Sequence, residues 1–322
     1  MRVPIREPSG IPRLNLPTLS AETVFHTLWL RQSMTVNPRN GGAPDSPKDI
    51  VAAIDALPPL PAVAMRVMQV AQDPKSSASD LAIVVSSDPG LSARILGVAN
   101  SAAYRRAHEV TSVQEALVML GFIQARNIAI SGAIAGSYAP DALHALFRVD
   151  AFWRHSIAIA FKASELAGKS RRLDVPTAFT AGILHNMGRL ALFYSDPAGL
   201  DQAVADAIAR DVPLEVSELE MLDFDHAATG DLLAAKWKLP EAIQEAIRHH
   251  HDDGLGEITL TGVVAAADRF CTQNGLLPGY VVPLPPGTRG QPPDDFLRLM
   301  KQVDALMVLV AGMPVGVRAG AA

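Results

Sequence analysis

The chain has a single cysteine, Cys271, among 322 residues. That excludes an internal disulfide framework and any zinc site built on thiolates. It fits a reducing cytoplasm, the compartment expected here. Aromatic residues are scarce at 5%, while hydrophobic residues reach 49%. The core expected is therefore one of aliphatic side chains on helices. There is no basic excess: 28 Lys and Arg stand against 33 Asp and Glu, a net charge of −5. A nucleic-acid-binding domain ordinarily carries a basic stripe, so no direct contact with nucleic acid is expected. Long hydrophobic runs are missing too. The longest, such as Ile128–Tyr138, fall short of the roughly 20 residues a spanning helix needs. Arg2 and Arg6 are not followed by the continuous apolar segment of a secretory signal. Neither membrane insertion nor secretion is expected. Finally, no stretch alternates apolar and polar residues with the period of a strand.

What is present is helical punctuation. Residues 1–46 are rich in Pro, Gly, Arg and Asn, with one apolar patch at Val24–Leu30, and read as a loose segment. Met34 offers an alternative start. From Ser46-Pro47, a cap followed by proline, the helical pattern begins. Ile50, Ile54 and Leu57 share one face, and Leu57-Pro58-Pro59-Leu60-Pro61 ends that helix. Ser79-Asp80 is expected to open a third helix and Ser87-Asp88-Pro89 a fourth. Ser112 and Glu115 have capping-box spacing, and Gly121 marks a break before a helix over about 124–137. In the second half, helices are expected over 152–166, 175–185, 189–193, 199–210, 213–222, 226–237, 240–251 and 258–270. Six prolines fill the irregular stretch 275–293. A last amphipathic helix, Asp294–Val310, carries Phe296, Met300, Val303 and Met307 on one face. The expected fold is all-α. Two helical halves, 47–140 and 141–275, pack as one unit, followed by a connector and helix over 276–322.

Several polar residues fall on faces that should be buried. His155 shares a face with Phe152 and Ile159, and His185 shares one with Ala178, Ala181 and Gly182, where a second helix can pack closely. His226 opens a helix that continues through Gly230 and Leu233. His250 and His251 follow Ile247 by three and four residues. Asp268 ends the run Val263-Val264-Ala265-Ala266-Ala267, where a carboxylate needs a partner. Imidazole and carboxylate together suit a first-row transition metal.

The order of His155, His185-Asn186, His226, His250-His251 and Asp268 resembles the metal-dependent HD superfamily of phosphohydrolases, all-helical enzymes. The region from Leu57 resembles one branch of it, the HDOD (HD-related output) domain. The likeness rests on Leu57-Pro58-Pro59-Leu60-Pro61, Ser87-Asp88-Pro89-Gly90-Leu91, Val98-Ala99-Asn100-Ser101-Ala102 and Ser112-Val113-Gln114-Glu115-Ala116. It continues in Leu120-Gly121, Leu184-His185-Asn186-Met187-Gly188 and Ile247-Arg248-His249-His250-His251-Asp252. It covers roughly residues 50–272.

The chain departs from that pattern at one position. Active members have Asp directly after the histidine, where it bridges two cations in binuclear members; here that position is Asn186. An amide has a similar shape without the charge. Two divalent ions held by neutral imidazoles and Asp268 alone would leave about +3 uncompensated in a partly buried pocket. The resemblance therefore implies a non-enzymatic signalling or regulatory module that binds a protein partner in trans or a nucleotide-type ligand. No cofactor is required by that reading, although a single Zn, Mn or Fe ion can be held by His155, His185 and Asp268. The alternative is a metal-dependent phosphohydrolase acting on a nucleotide or cyclic dinucleotide, with all six groups as ligands. Elsewhere, Arg94, Arg105 and Arg106 read as a solvated rim, Asn100-Ser101 as a helix end, Cys271 as a buried small hydrophobe, and His249 as pointing away from its neighbours.

Overall fold

The computed structural model describes residues 48–101, 104, 109–138, 146–252, 259–280 and 292–310. All regular structure among the described residues is helical, and the helices belong to one compact unit within Pro44–Ala322. The loose segment 1–46, Met34, Arg105, Arg106 and most of the proline-rich connector lie outside the described residues.

Helix α1 (Lys48–Ala56) is followed by α2 (Ala62–Gln72), α3 (Ala78–Ser86) and α4 (Pro89–Ala99). Side-chain caps set two of these four starts. Asp88 accepts from the Leu91 backbone with Pro89 in the first turn, and Ser112 accepts from the Glu115 backbone to start α5 (Val113–Leu120). Helix α3 begins earlier than the sequence suggested. Its cap is Ser77, which exchanges bonds with Asp80 at the spacing of a capping box; Ser79 lies inside the first turn. Between α5 and α6 (Phe122–Ala135) the chain bends by 119°. Gly121 sits at the corner with φ +76, a conformation that glycine adopts without the strain a Cβ brings. Asn100 ends α4 as expected. Its amide also grips the Val110 backbone from both sides, at 2.8 Å each way.

The second half starts with α7 (Val149–Ser170), longer than the apolar pattern implied, and ends where Arg171 takes φ 54. Then follow α8 (Val175–Leu184), α9 (Met187–Ser195), α10 (Pro197–Arg210), α11 (Leu214–Leu222), α12 (His226–Lys236), α13 (Glu241–His249) and α14 (Leu260–Gln273). Helix α7 is the central rod, packing on α8 and α14. Although α1 opens the first half in the chain, it packs on α9 and α12 of the second. Ala53 buries against Leu192 and Leu222, and Asp55 pairs with Lys236 at 2.7 Å.

Helix α15 (Asp294–Val310) lies against its own unit, on α7, α4 and α6. It buries Phe296, Leu299, Val303 and Leu306, with Met300 and Met307 partly buried beside them. Lys162 of α7, buried over the Phe270 ring at 4.2 Å, reaches Asp295 at 3.5 Å. Among the described residues no single helix is long and apolar enough to cross a membrane.

Two crossings need glycine for another reason. A Cβ on Gly182 would lie 2.7 Å from the Ala160 backbone, where α8 meets α7. A Cβ on Gly188 would lie 2.0 Å from the His226 carbonyl and 2.5 Å from Gly230 N, where α9 meets α12. Both contacts are with backbone, so the helices sit closer than any side chain permits. Each crossing carries site histidines.

Candidate metal centre

The candidate residues sit mostly at helix ends. His155 is on α7, and His185 caps the C-terminus of α8. Asn186 precedes α9, His226 opens α12, His250 caps α13 with His251 next, and Asp268 is on α14. Five different helices thus deliver the six groups and Asn186 to one place. The rings form a continuous train. Centroids lie 5.6 Å apart for His155–His185, 5.0 Å for His185–His250, 5.3 Å for His226–His250 and 4.0 Å for His250–His251.

Local backbone fixes how each ring is turned. His185 Nδ1 lies 2.7 Å from the Gly182 carbonyl, and His250 Nδ1 lies 2.7 Å from the Ile247 carbonyl. Both carbonyls are three residues back, in the last turn of a helix, where they lack an intrahelical donor. His155 Nδ1 lies 2.8 Å from the Leu276 carbonyl, in the segment that follows α14. A carbonyl only accepts, so each of these Nδ1 atoms carries a proton and donates. In a neutral ring the other nitrogen, Nε2, is then a bare lone pair. Burial keeps His185 neutral by pushing its pKa down to about 3. It does the same for His250, well below the usual range.

These lone pairs converge. The donor atoms of His155, His185 and Asp268 lie within 4.8 Å of one another, and so do those of His226, His250 and His251. His155 Nε2 faces Asp268 Oδ1 at 3.2 Å. With the Nδ1 proton already given to Leu276, that contact sets a lone pair against a carboxylate. His185 Nε2 is buried with no hydrogen-bond partner among the described residues, and so is Asn186 Oδ1. Buried acceptors facing one another without donors fit a cation: two imidazoles and a carboxylate suit Zn, Mn or Fe in the first cluster. Three imidazoles form the second.

Beside the first cluster opens a cavity of about 410 Å³, lined in part by Asn186, Arg189, His251, Asp268, Arg269 and Tyr280. His251 is the half-exposed member of the set. Its Nε2 lies 3.0 Å from His226 Nε2, and its Nδ1 3.9 Å from Asp268. His249 turns outward to Asp252 at 2.8 Å. Arg94 is engaged with the Gly132 carbonyl at 2.8 Å and is not a solvated rim residue.

Sequence reading missed Arg189 and Glu218, a fully buried pair at 2.6 Å against His226. A signal was present. Glu218 sits four residues from both Leu214 and Leu222, and with Ser217 these are the buried positions of α11, so the carboxylate lies on the apolar face.

An all-helical unit that gathers histidines and one aspartate from separate helices defines a protein of the HD superfamily type. More narrowly, the chain belongs to the HDOD domain family, whose profile matches residues 57–253, more than half of the chain. Asp268 and Leu276 lie beyond the matched stretch. The structure is similar to that of a Marinobacter aquaeolei VT8 protein provisionally named a signal transduction protein. The TM-score is 0.62 with 24% identity, covering 82% of this chain and 64% of that one. It is also similar to that of a Shewanella amazonensis SB2B protein provisionally named a phosphohydrolase. There the TM-score is 0.57 with 28% identity, covering 81% and 88%. In sequence, an uncharacterized protein of Treponema pallidum (strain Nichols) is 25% identical over 255 residues, 75% of this chain. The chain spans about half, 48%, of that relative's length.

Proposed function

We propose that this chain is a metal-binding regulatory module of bacterial signal transduction, which does not turn over substrate. His155, His185 and Asp268 hold one divalent transition ion. The observation that carries the reading is the orientation of the buried rings. Nδ1 of His155, His185 and His250 is spent on backbone carbonyls, and the bare Nε2 atoms face one another and Asp268. The adjoining cavity is the place for a nucleotide-type ligand, and a protein partner in trans reads the result.

Such an ion supplies Lewis acidity toward an oxygen of a bound ligand. The chain's own groups hold it and shape the cavity; Asn186, which lines that cavity, brings no negative charge for a second ion. A second reading, hydrolysis of a phosphodiester, is favoured by the complete histidine set and by the likeness to the phosphohydrolase-named protein at 28% identity.

Elemental analysis of protein purified without added metal, with a chelator-dependent melt and a generic phosphodiester assay, separates the readings. About one equivalent of metal, loss of stability with chelator and no turnover are expected. Two equivalents with turnover would establish the hydrolase. No metal, and a melt indifferent to chelator, would remove the metal from the proposal. Asn186→Asp restores the bridging charge, and a gain of a second equivalent is expected.

A further inference from the structure

Neither cluster explains why Arg189 and Glu218 are buried together. Removing an Arg–Glu pair from water is costly and is recovered only through good geometry. The pair is 1% and 0% exposed, and apart from a 3.5 Å contact of Arg189 Nη1 with the Pro278 carbonyl its reach is toward one ring. Glu218 Oε1 accepts from Arg189 Nε at 2.6 Å. Glu218 Oε2 accepts the His226 backbone N–H at 3.0 Å and lies 2.5 Å from His226 Nδ1.

We propose that Glu218 is a positioning residue that fixes the proton of His226 on Nδ1, leaving Nε2 bare toward His250 and His251. Arg189 is its counter-charge. The inference concerns the ring itself and requires no ion at His226, His250 and His251.

Two neighbours compete for Nδ1. Glu218 Oε2 stands at 2.5 Å and Arg189 Nη2 at 2.6 Å. A proton on Nδ1 serves the carboxylate and faces the arginine; a bare Nδ1 serves the arginine and faces the carboxylate. Both bonds are charge-assisted, but Arg189 is already paired with Glu218 Oε1, while Glu218 Oε2 is tied down beside Nδ1 by the backbone N–H of His226. Arg189 contributes differently: its guanidinium, bonded to Glu218 Oε1, is the counter-charge that keeps the carboxylate buried beside the ring. The rest of the cluster is consistent. His226 Nε2 lies 3.0 Å from His251 Nε2, close enough to accept its proton, and 3.2 Å from the bare Nε2 of His250.

The test is the tautomer of His226 in metal-free protein, read by long-range ¹H–¹⁵N correlation with ¹⁵N-labelled histidine and assigned through His226→Asn. Nδ1–H is expected in the wild type and Nε2–H in Glu218→Gln, because Arg189 then donates to a bare Nδ1. An Nε2–H ring in the wild type, or Nδ1–H in both, overturns the proposal. Arg189 is left without its counter-ion in Glu218→Gln. The double variant Glu218→Gln/Arg189→Met restores neutrality and is expected to lose the fixed Nδ1–H as well.

Discussion

Gly182→Ala tests the idea that the site exists because two helices touch backbone to backbone. The added Cβ would lie 2.7 Å from Ala160 Cα, 2.9 Å from Ala160 N and 3.1 Å from Ile159 C. Carbon contacts settle at about 3.5–4.0 Å, so α8 must retreat from α7 by roughly 1 Å. Overpacking of this kind costs roughly 1–3 kcal/mol, occasionally more. All three near atoms are backbone and cannot swing aside, which puts the cost at the top of that range. Against it stands the ~1 kcal/mol that alanine gains over glycine in a helix interior. The net loss is about 2 kcal/mol, or a melting temperature lower by about 4–8 °C. The paired control is Gly168→Ala on α7. Its Cβ meets only Val175 Cγ2, at 3.7 Å, so the propensity gain survives and the melt rises by up to ~4 °C. The assay is thermal unfolding of metal-free protein followed by circular dichroism. A second readout is metal content, because α7 carries His155 and α8 ends at His185. A site misplaced by ~1 Å is outside the tolerance of coordination, and Gly182→Ala is expected to retain less metal than Gly168→Ala. A Gly182→Ala protein that melts at or above the wild type, or two variants with the same shift, would refute the reasoning.

Other outcomes follow from burial. His185, His226 and His250 are neutral in the fold and gain a proton near pH 6.5 only when the chain unfolds. The unfolded state then binds more protons, so stability is complete above pH 6.5 and falls as pH drops toward 3, the His185 value. The slope is about 1.4 kcal/mol per pH unit for each ring; urea titrations of metal-free protein at pH 7.5 and 5.5 should differ by several kcal/mol, and equal midpoints would exclude buried neutral rings. Cys271 is fully buried and its thiol is pushed up to about 12. It is therefore expected to resist thiol reagents at pH 8 until denaturant is added, and rapid labelling of native protein would contradict its placement.

The helices were legible because their signals are local. Asp88 before Pro89, Ser112 before Glu115 and glycine at Gly121 act on backbone within a turn of themselves. Helix α3 shows the limit: two serines, Ser77 and Ser79, both precede acidic or apolar positions, and only the geometry of Ser77 with Asp80 decides between them. The faces were legible as well, since period 3.6 places His155, His185 and Asp268 among apolar neighbours. Arg94 read as a rim residue because its partner, Gly132, lies 38 positions away on another helix.

The sequence alone determined that this protein is helical, that His155, His185 and Asp268 turn inward, and that an amide replaces a carboxylate at Asn186. Those follow from propensity, periodicity and identity, which need no knowledge of distance. Only the tertiary structure decided that five helices bring the histidines and Asp268 within ligand reach of one another. It alone placed Arg189 and Glu218 against His226, and the Leu276 carbonyl against His155. Which ring nitrogen is free depends on the acceptor opposite the other, and for His155 and His226 that acceptor comes from elsewhere in the chain. A histidine's chemistry is therefore set by packing, and packing at Gly182 and Gly188 is what sets the distances.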